Sequence, residues 1–301
     1  MYPETNTSLE ALLVDACAQR GVDSAGARLI HHYSNAVYLL PRHDAVARVS
    51  TGANAAQRVG RMARVAQWLL DERGFAATAP LPGVRPVSTR DTTVSFWVYY
   101  AQPEDRPALT SRHLGRLLRQ LHHAGDPPVA LDPWVPLASL YATVSDPGCL
   151  DVLTREERQW LLDRVEQVRG DFATLDWPLG QGMIHGDAWA GNLLWDAGTG
   201  RAVLGDWDWV SRGPREIDLI PTWHAASRYG KGDAWSRAFI AEYGYDLADW
   251  PGFRLLMHMR DLVQLTGPIR RASAGGAYVH VLRQRLDGLR AGDTTSVWIA
   301  L

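Results

Sequence analysis

The stretch His185-Gly-Asp-Ala-Trp-Ala-Gly-Asn192-Leu-Leu-Trp-Asp196, followed by Val203-Leu-Gly-Asp206-Trp-Asp208, decides how this chain is read. Asp187 and Asn192 lie five residues apart in one loop, and Asp206 closes the short strand-like run Arg201-Ala-Val-Leu-Gly-Asp. Magnesium prefers hard oxygen ligands and takes one or two carboxylates, leaving its other positions to water and nucleotide phosphate. Asn192 and Asp206 form such a pair. Asp187 then remains as a base, because an ordinary Asp is ionised at pH 7 and accepts a hydrogen bond from a hydroxyl. Phosphoryl transfer asks for little more than a positioned hydroxyl, a held metal and neutralised charge. Asn strengthens the reading by its rarity, since it occurs only at positions 6, 35, 54 and 192.

At these residues the chain resembles the aminoglycoside phosphotransferase and choline kinase-like family, whose catalytic loop reads His-Gly-Asp-x-x-x-x-Asn and whose metal loop is Asp-Trp or Asp-Phe. The resemblance implies an α+β, bilobal protein-kinase-like fold, with a small N-terminal antiparallel-sheet lobe and a larger, mainly helical C-terminal lobe. It also implies that Asp187 is the catalytic Asp, that Asn192 and Asp206 are metal ligands, and that His185 supports the loop. Asp208 and Asp218 enter as supporting carboxylates; Asp218, in Gly213-Pro-Arg-Glu-Ile-Asp218-Leu, resembles the family's acidic residue behind the catalytic loop, with a structural role favoured.

The composition agrees with such an enzyme. The chain has 301 residues, 46% of them hydrophobic, which is ample for one large domain or two packed lobes. A formal charge of −2 lacks the basic field of nucleic-acid binders, so no nucleic-acid partner is expected. No apolar run approaches spanning length, and Met1-Tyr-Pro-Glu-Thr-Asn has neither the basic nor the apolar region of a signal peptide. No membrane partner and a cytoplasmic location are therefore expected. The two cysteines, Cys17 and Cys149, have no metal-type spacing, and Cys17 sits on the apolar face of a helix. Lys231 is the only lysine, so every other cation is Arg.

The N-terminal region offers three strands over residues 28–34, 37–40 and 45–50, with Ser34-Asn35-Ala36 as a glycine-free phosphate-facing loop. With no lysine before Lys231, the cation for the nucleotide phosphates on the third strand is Arg48, whose planar fork binds phosphate bidentately. No acidic residue lies between Asp44 and Asp71 to hold it; Gln57 and Gln67 are the nearby amides. A helix over residues 54–74 and a strand over 92–100 follow. The Pro-containing segment 101–107 then forms a hinge between a nucleotide-binding lobe, 1–100, and a catalytic and acceptor-binding lobe, 108–301. Tyr99, Tyr100 and Gln102 are expected near the purine of ATP or GTP.

Beyond the hinge the periodicity predicts helices over 111–123, 154–169 (from a Thr154/Glu157 capping box), 216–229, 233–243, 252–266 and 277–288. Acceptor contacts are expected from Glu216, Trp223, His224, Asp233, Trp235, His258 and Asp261, although each has a simpler structural reading. Arg212, Arg215, Arg254 and Arg260 lie close to these acids, so no anionic pocket is inferred. Trp189, Trp195, Trp207 and Trp209 either stack on a flat acceptor or wedge the loops, with wedging favoured. The leading expectation is a magnesium-dependent transfer of phosphate from ATP or GTP to a hydroxyl of a small molecule, an antibiotic above all. A metabolic kinase for an amino alcohol, sugar or nucleoside, and a nucleotide-binding pseudokinase, are the alternatives.

Overall fold

The structure is a computed structural model that describes residues 3–32 and 35–300. The chain divides into two compact units: one from the segment ending at Leu109 together with His123–Leu131 and Gly191–Val210, the other from Thr110–His122, Asp132–Ala190 and the segment beginning at Ser211. The strands are β1 Arg28–His32, β2 Ala36–Leu40, β3 Ala45–Thr51, β4 Val87–Ser88, β5 Thr92–Val98, β6 Gln181–Ile184, β7 Leu193–Asp196, β8 Arg201–Leu204 and β9 Ser211–Pro214. The helices begin with α1 Pro3–Arg20, α2 Ala55–Arg73, α3 Ser111–His123, α4 Ala138–Ser145 and α5 Arg155–Ala173. They continue with α6 Glu216–Arg228, α7 Asp233–Tyr243, α8 Phe253–Val263, α9 Thr266–Arg271 and α10 Gly276–Arg290.

The first unit is organised by an antiparallel sheet in the order β1-β2-β3-β5-β4. Because successive strand residues face opposite sides, Ala45, Ala47 and Val49 enter a core with Tyr38, Leu40, Val94, Phe96 and the α1 residues Leu13, Ala16 and Cys17. The same alternation turns Arg48, set between Val37 and Ser95 on the neighbouring strands, to the other face. On α2, Val59, Met62, Val65, Ala66 and Leu69 are buried at helical spacing, and Gly74 ends the helix in a left-handed conformation. Leu204 on β8 exchanges backbone hydrogen bonds with the segment after α2: Leu204 N–H to Ala76 O at 2.8 Å and Thr78 N–H to Leu204 O at 2.9 Å. This anchors the β7/β8 ribbon that leads into Asp206.

In the second unit β6 and β9 form a ribbon in which Ile184 pairs with Ser211, and the His185–Asp187 turn leaves its end. Leu114, Leu117, Leu118 and Leu121 are the buried face of α3, and a Cβ at Gly115 would stand 2.7 Å from Phe239 O, so glycine permits the close crossing of α3 and α7. The capping box of α5 is formed: Glu157 N–H donates to Thr154 Oγ1 (3.1 Å), and Thr154 N–H donates to Glu157 Oε2 (2.8 Å).

The helix expected over 252–266 ends at Val263, and a separate helix, α9, follows over Thr266–Arg271. Pro268 cannot bond back to Gln264 and its ring crowds that carbonyl; Gln264 O is instead taken by the buried Arg285 guanidinium at 2.8 Å. Helix α4 and strands β6, β7 and β9 were not anticipated; the strands span only four residues each, too short for a period to register. Among the described residues no helix is long and apolar enough to cross a membrane.

Candidate active site

In the first unit Asp206 and Asp208 meet the cation of β3. Arg48 Nη2 donates to Asp208 Oδ2 at 2.6 Å and to Asp206 Oδ1 at 3.0 Å, and Asn35 Nδ2 donates to Asp208 Oδ2 at 2.6 Å. Arg48 is thus held by two aspartates from elsewhere in the chain rather than by a helix glutamate or by the Gln57 or Gln67 amide. Gln57 is exposed, and Gln67 donates to Asp71 on its own helix at 2.8 Å. Burial opposes the charge on Arg48, but Asp208 and Asp206 outweigh it and hold the guanidinium above its ordinary value, firmly charged. Burial pushes the Asp208 carboxyl up, against the pull of Arg48. Ser34 lies outside the described residues.

Asp206 adopts a left-handed backbone, φ 61°, which Asp tolerates better than most residues. Gly205 before it is required by packing, since a Cβ there would lie 2.9 Å from Thr78 Cγ2. Gly205 N–H donates to Asn192 O at 2.9 Å, so the Asn192 and Asp206 segments run side by side. Trp207 is buried, its Nε1 donating to Leu204 O at 3.1 Å and its ring set edge-on to Phe75, so it wedges this loop.

An amide oxygen and a carboxylate on adjoining backbone, with the Asp206 side chain 46% exposed, fit a magnesium ion that takes its remaining ligands from water and phosphate. Among the described residues no cluster of three His, Cys, Asp or Glu side chains is assembled for a metal; a magnesium site completed by nucleotide does not need one.

The connector is fixed by a side chain. Gln102 Oε1 accepts from Trp195 N–H, and Gln102 Nε2 donates to Trp195 O, both at 3.0 Å, so the amide pairs with β7 as a strand residue would. Its side chain is therefore occupied by protein. Tyr99 N–H donates to Asp44 O at 2.9 Å, and the Tyr100 hydroxyl accepts from Ala79 N–H at 3.2 Å.

In the second unit the backbone of the His185–Asp187 turn closes on Asp218. This fully buried carboxylate accepts His185 N–H (2.7 Å) on Oδ2 and Gly186 N–H (2.8 Å) on Oδ1, while His122 Nε2 lies 3.0 Å from Oδ2. His122 Nδ1 is bonded in turn to the Tyr243 hydroxyl at 2.8 Å, and burial pushes that phenol well up. Gly186 has φ 82°, a turn that only glycine makes without strain. The next residue, Asp187, is 33% exposed on its side chain and accepts from Arg260 Nη1 of α8 at 3.1 Å. Trp189, two residues on, is 49% exposed.

The residues expected at the acceptor are mostly interior. Glu216 is fully buried and accepts from Leu179 N–H at 2.7 Å, with burial raising its carboxyl. Trp223 packs edge-on to Phe239 and Phe253. His224 Nε2 meets Asp261 Oδ1 at 3.1 Å, and Asp261 is forked by Arg228 at 3.0 and 2.7 Å. An acceptor would reach these side chains only if the helical interior opened. Asp233 is exposed, Trp235 lies against Lys231, and His258 is half-buried.

Among the partnerships that escaped the sequence are those of Arg48 with Asp206 and Asp208 and of Arg260 with Asp187. These join residues far apart in the chain, and no local spacing announces them.

The fold is protein-kinase-like. The family model described as the phosphotransferase enzyme family matches residues 26–256, and the chain belongs to that family. Solved structures agree in fold. An amicoumacin kinase in complex with AMP-PNP, Ca2+ and its ligand is 12% identical, with a TM-score of 0.73 over 98% of this chain and 97% of that one. A microcompartment-associated aminopropanol kinase is 18% identical, with a TM-score of 0.69 over 95% and 98%. An aminoglycoside phosphotransferase of Streptomyces rimosus, in complex with ADP and streptomycin, is 20% identical, with a TM-score of 0.58 over 84% and 98%. Comparison with curated protein sequences gives no match.

Proposed function

We infer that this protein transfers the γ-phosphoryl group of ATP or GTP to a hydroxyl of a small molecule, and that the acceptor is an antibiotic. The observation that carries the reading is the convergence of Arg48 on Asp206 and Asp208, on the segment that follows the His185–Asn192 loop. In this reading Asp187 orients the acceptor hydroxyl and takes its proton as the new O–P bond forms, while the bond from the γ-phosphorus to the β-phosphate oxygen breaks and nucleoside diphosphate departs. Asn192 and Asp206 hold magnesium, which supplies charge neutralisation to the phosphates. Arg48, set by Asp208, turns one edge of its fork to the nucleotide phosphates, with Asn35 bonded to the same Asp208.

We assign residues 1–100 to nucleotide binding, 101–107 to the hinge with the purine near Tyr99–Gln102, and 108–301 to catalysis and acceptor binding. Asp218 and His185 fix the catalytic loop. The acceptor face is built around Asp187 and the exposed Trp189, with Glu216, Trp223, His224 and Asp261 shaping the helices behind it. The protein is expected to act in the cytoplasm, with neither nucleic-acid nor membrane partner.

A metabolic amino-alcohol kinase is the second reading, favoured by the fold similarity to the aminopropanol kinase. Purified wild-type and Asp187→Ala protein, incubated with magnesium, ATP or GTP and a pooled library of antibiotics, amino alcohols and sugars, separates the readings by mass spectrometry. A phosphorylated antibiotic made only by wild type is the expected result. A phosphorylated amino alcohol instead moves the assignment to metabolism, and equal turnover by Asp187→Ala removes Asp187 from the mechanism. A pseudokinase would make no phosphorylated product at all.

A further inference from the structure

Among the described residues of the helical unit, Arg228 and Arg260 are largely buried arginines that face aspartates, and they differ in how they are used. Arg228 makes four side-chain hydrogen bonds. It forks Asp261, donates to Ser296 O at 3.1 Å and to Asp293 O at 2.8 Å, and lies against the Trp298 ring at 4.6 Å. Trp298 N–H closes the arrangement on Arg228 O at 2.6 Å. The cluster immobilises Asp261, and through it the C-terminal turn of α8.

Arg260 immediately precedes Asp261, so on a helix its side chain emerges about 100° around the axis from the anchored one. It reaches Asp187 Oδ1 at 3.1 Å with only 14% of the side chain exposed, and its Nε is buried without a hydrogen-bond partner. That bond to one carboxylate oxygen sets the direction of the guanidinium. Here the direction is toward the carboxylate assigned as the base.

We propose that Arg260 is a positioning residue for phosphoryl transfer, setting the Asp187 carboxylate from a helix end that the Arg228–Asp261–His224 cluster and the segment 293–298 hold in place. This rests on the reading of Asp187 as the base. A guanidinium suits the task because it stays charged throughout the working pH range and its planar fork fixes direction as well as distance. Lysine at the same place would supply charge without the fork.

The test needs no knowledge of the acceptor, because water can replace it. Magnesium-ATP and magnesium-GTP hydrolysis are followed by phosphate release at enzyme concentrations above those of nucleotide, and Arg260→Met is crystallised beside the wild type. Expected for Arg260→Met is a fall in the hydrolysis rate of about 10- to 100-fold, the scale of a misplaced catalytic group. Nucleotide affinity should stay unchanged, Arg260→Lys should recover part of the rate, and the crystal should show a rotated Asp187 carboxylate.

Overturning results are an Asp187 carboxylate that keeps its place in the Arg260→Met crystal, or a rate loss matched by a melting-temperature loss that lysine leaves unrepaired. Asp187→Ala run in parallel tests the base assignment separately: if that variant hydrolyses at the wild-type rate, the base reading fails whatever Arg260 does.

Discussion

Among the described residues, the Arg48 and Arg228 clusters share one chemistry, an arginine facing aspartate with a polar neighbour, and they have opposite characters. Arg48 with Asp206, Asp208 and Asn35 lies where Asp206 is 46% exposed, whereas Arg228 with Asp261 and His224 lies where Asp261 is 6% exposed. A closed, fully bonded cluster loses far more when a partner is removed than it contributes over an apolar replacement, because the orphaned charge has no water. A half-open one can exchange a protein partner for a ligand at little cost. Residue type therefore does not separate a working site from a structural one; access to solvent, and the oxygen left for a newcomer, do.

The largest effect should come from the open cluster and should be purely functional. Asp206→Asn is expected to lower product formation by about 10^4-fold, roughly 5.5 kcal/mol in the barrier, with a melting temperature close to wild type. The contrast breaks if the variant unfolds early while keeping its turnover.

The closed cluster should respond in the other direction. Arg228→Met leaves Asp261 buried without its main partner and is expected to cost about 3–5 kcal/mol of stability, read from urea unfolding. A variant with unchanged midpoint would place Asp261 in contact with solvent, contrary to the structure.

Acid sharpens the comparison with a smaller effect. Burial holds His224 below its ordinary value despite the Asp261 hydrogen bond, so the unfolded chain takes that proton first and stability falls as pH drops past about 6.5. Burial alone would raise Asp261, but the bonds from His224 and Arg228 hold it below its ordinary range, so its contribution is lost as pH falls below about 3.9. Both run the same way: the urea midpoint should decline from pH 7 to 5 and again below 4. A midpoint that rises between pH 7 and 5 would mean that His224 gains its proton in the folded state.

Legibility from sequence followed the range of the interactions. The loop holding Asp187 and Asn192 could be read because its chemistry sits within a few consecutive residues, and α2, α3 and α7 because their apolar faces repeat every three to four residues. Arg48 could be named by elimination, yet its carboxylate partners lie 158 and 160 residues away, and nothing local marks them. Arg260 was visible only as one charge among several near the acids of the helical region. The buried placement of Glu216, His224 and Asp261 was hidden for a related reason, since an ionisable residue reads as exposed until its partner is known. Pro268 did carry a signal for the end of α8, but the acceptor for Arg285 that it created is a tertiary consequence.

Arginine in place of the strand lysine also changes how the protein meets reactive reagents. Acyl-phosphate nucleotide probes, which tag kinases by acylating a lysine amine at the phosphates, find at position 48 a guanidinium that stays protonated and does not acylate under the same conditions. The sole ε-amine belongs to Lys231, resting 5.5 Å from the Trp235 ring. On the proposed reading, amine-directed proteomic profiling would therefore pass over the nucleotide end, while the same scarcity offers a single defined lysine for attaching a fluorophore or a surface linker.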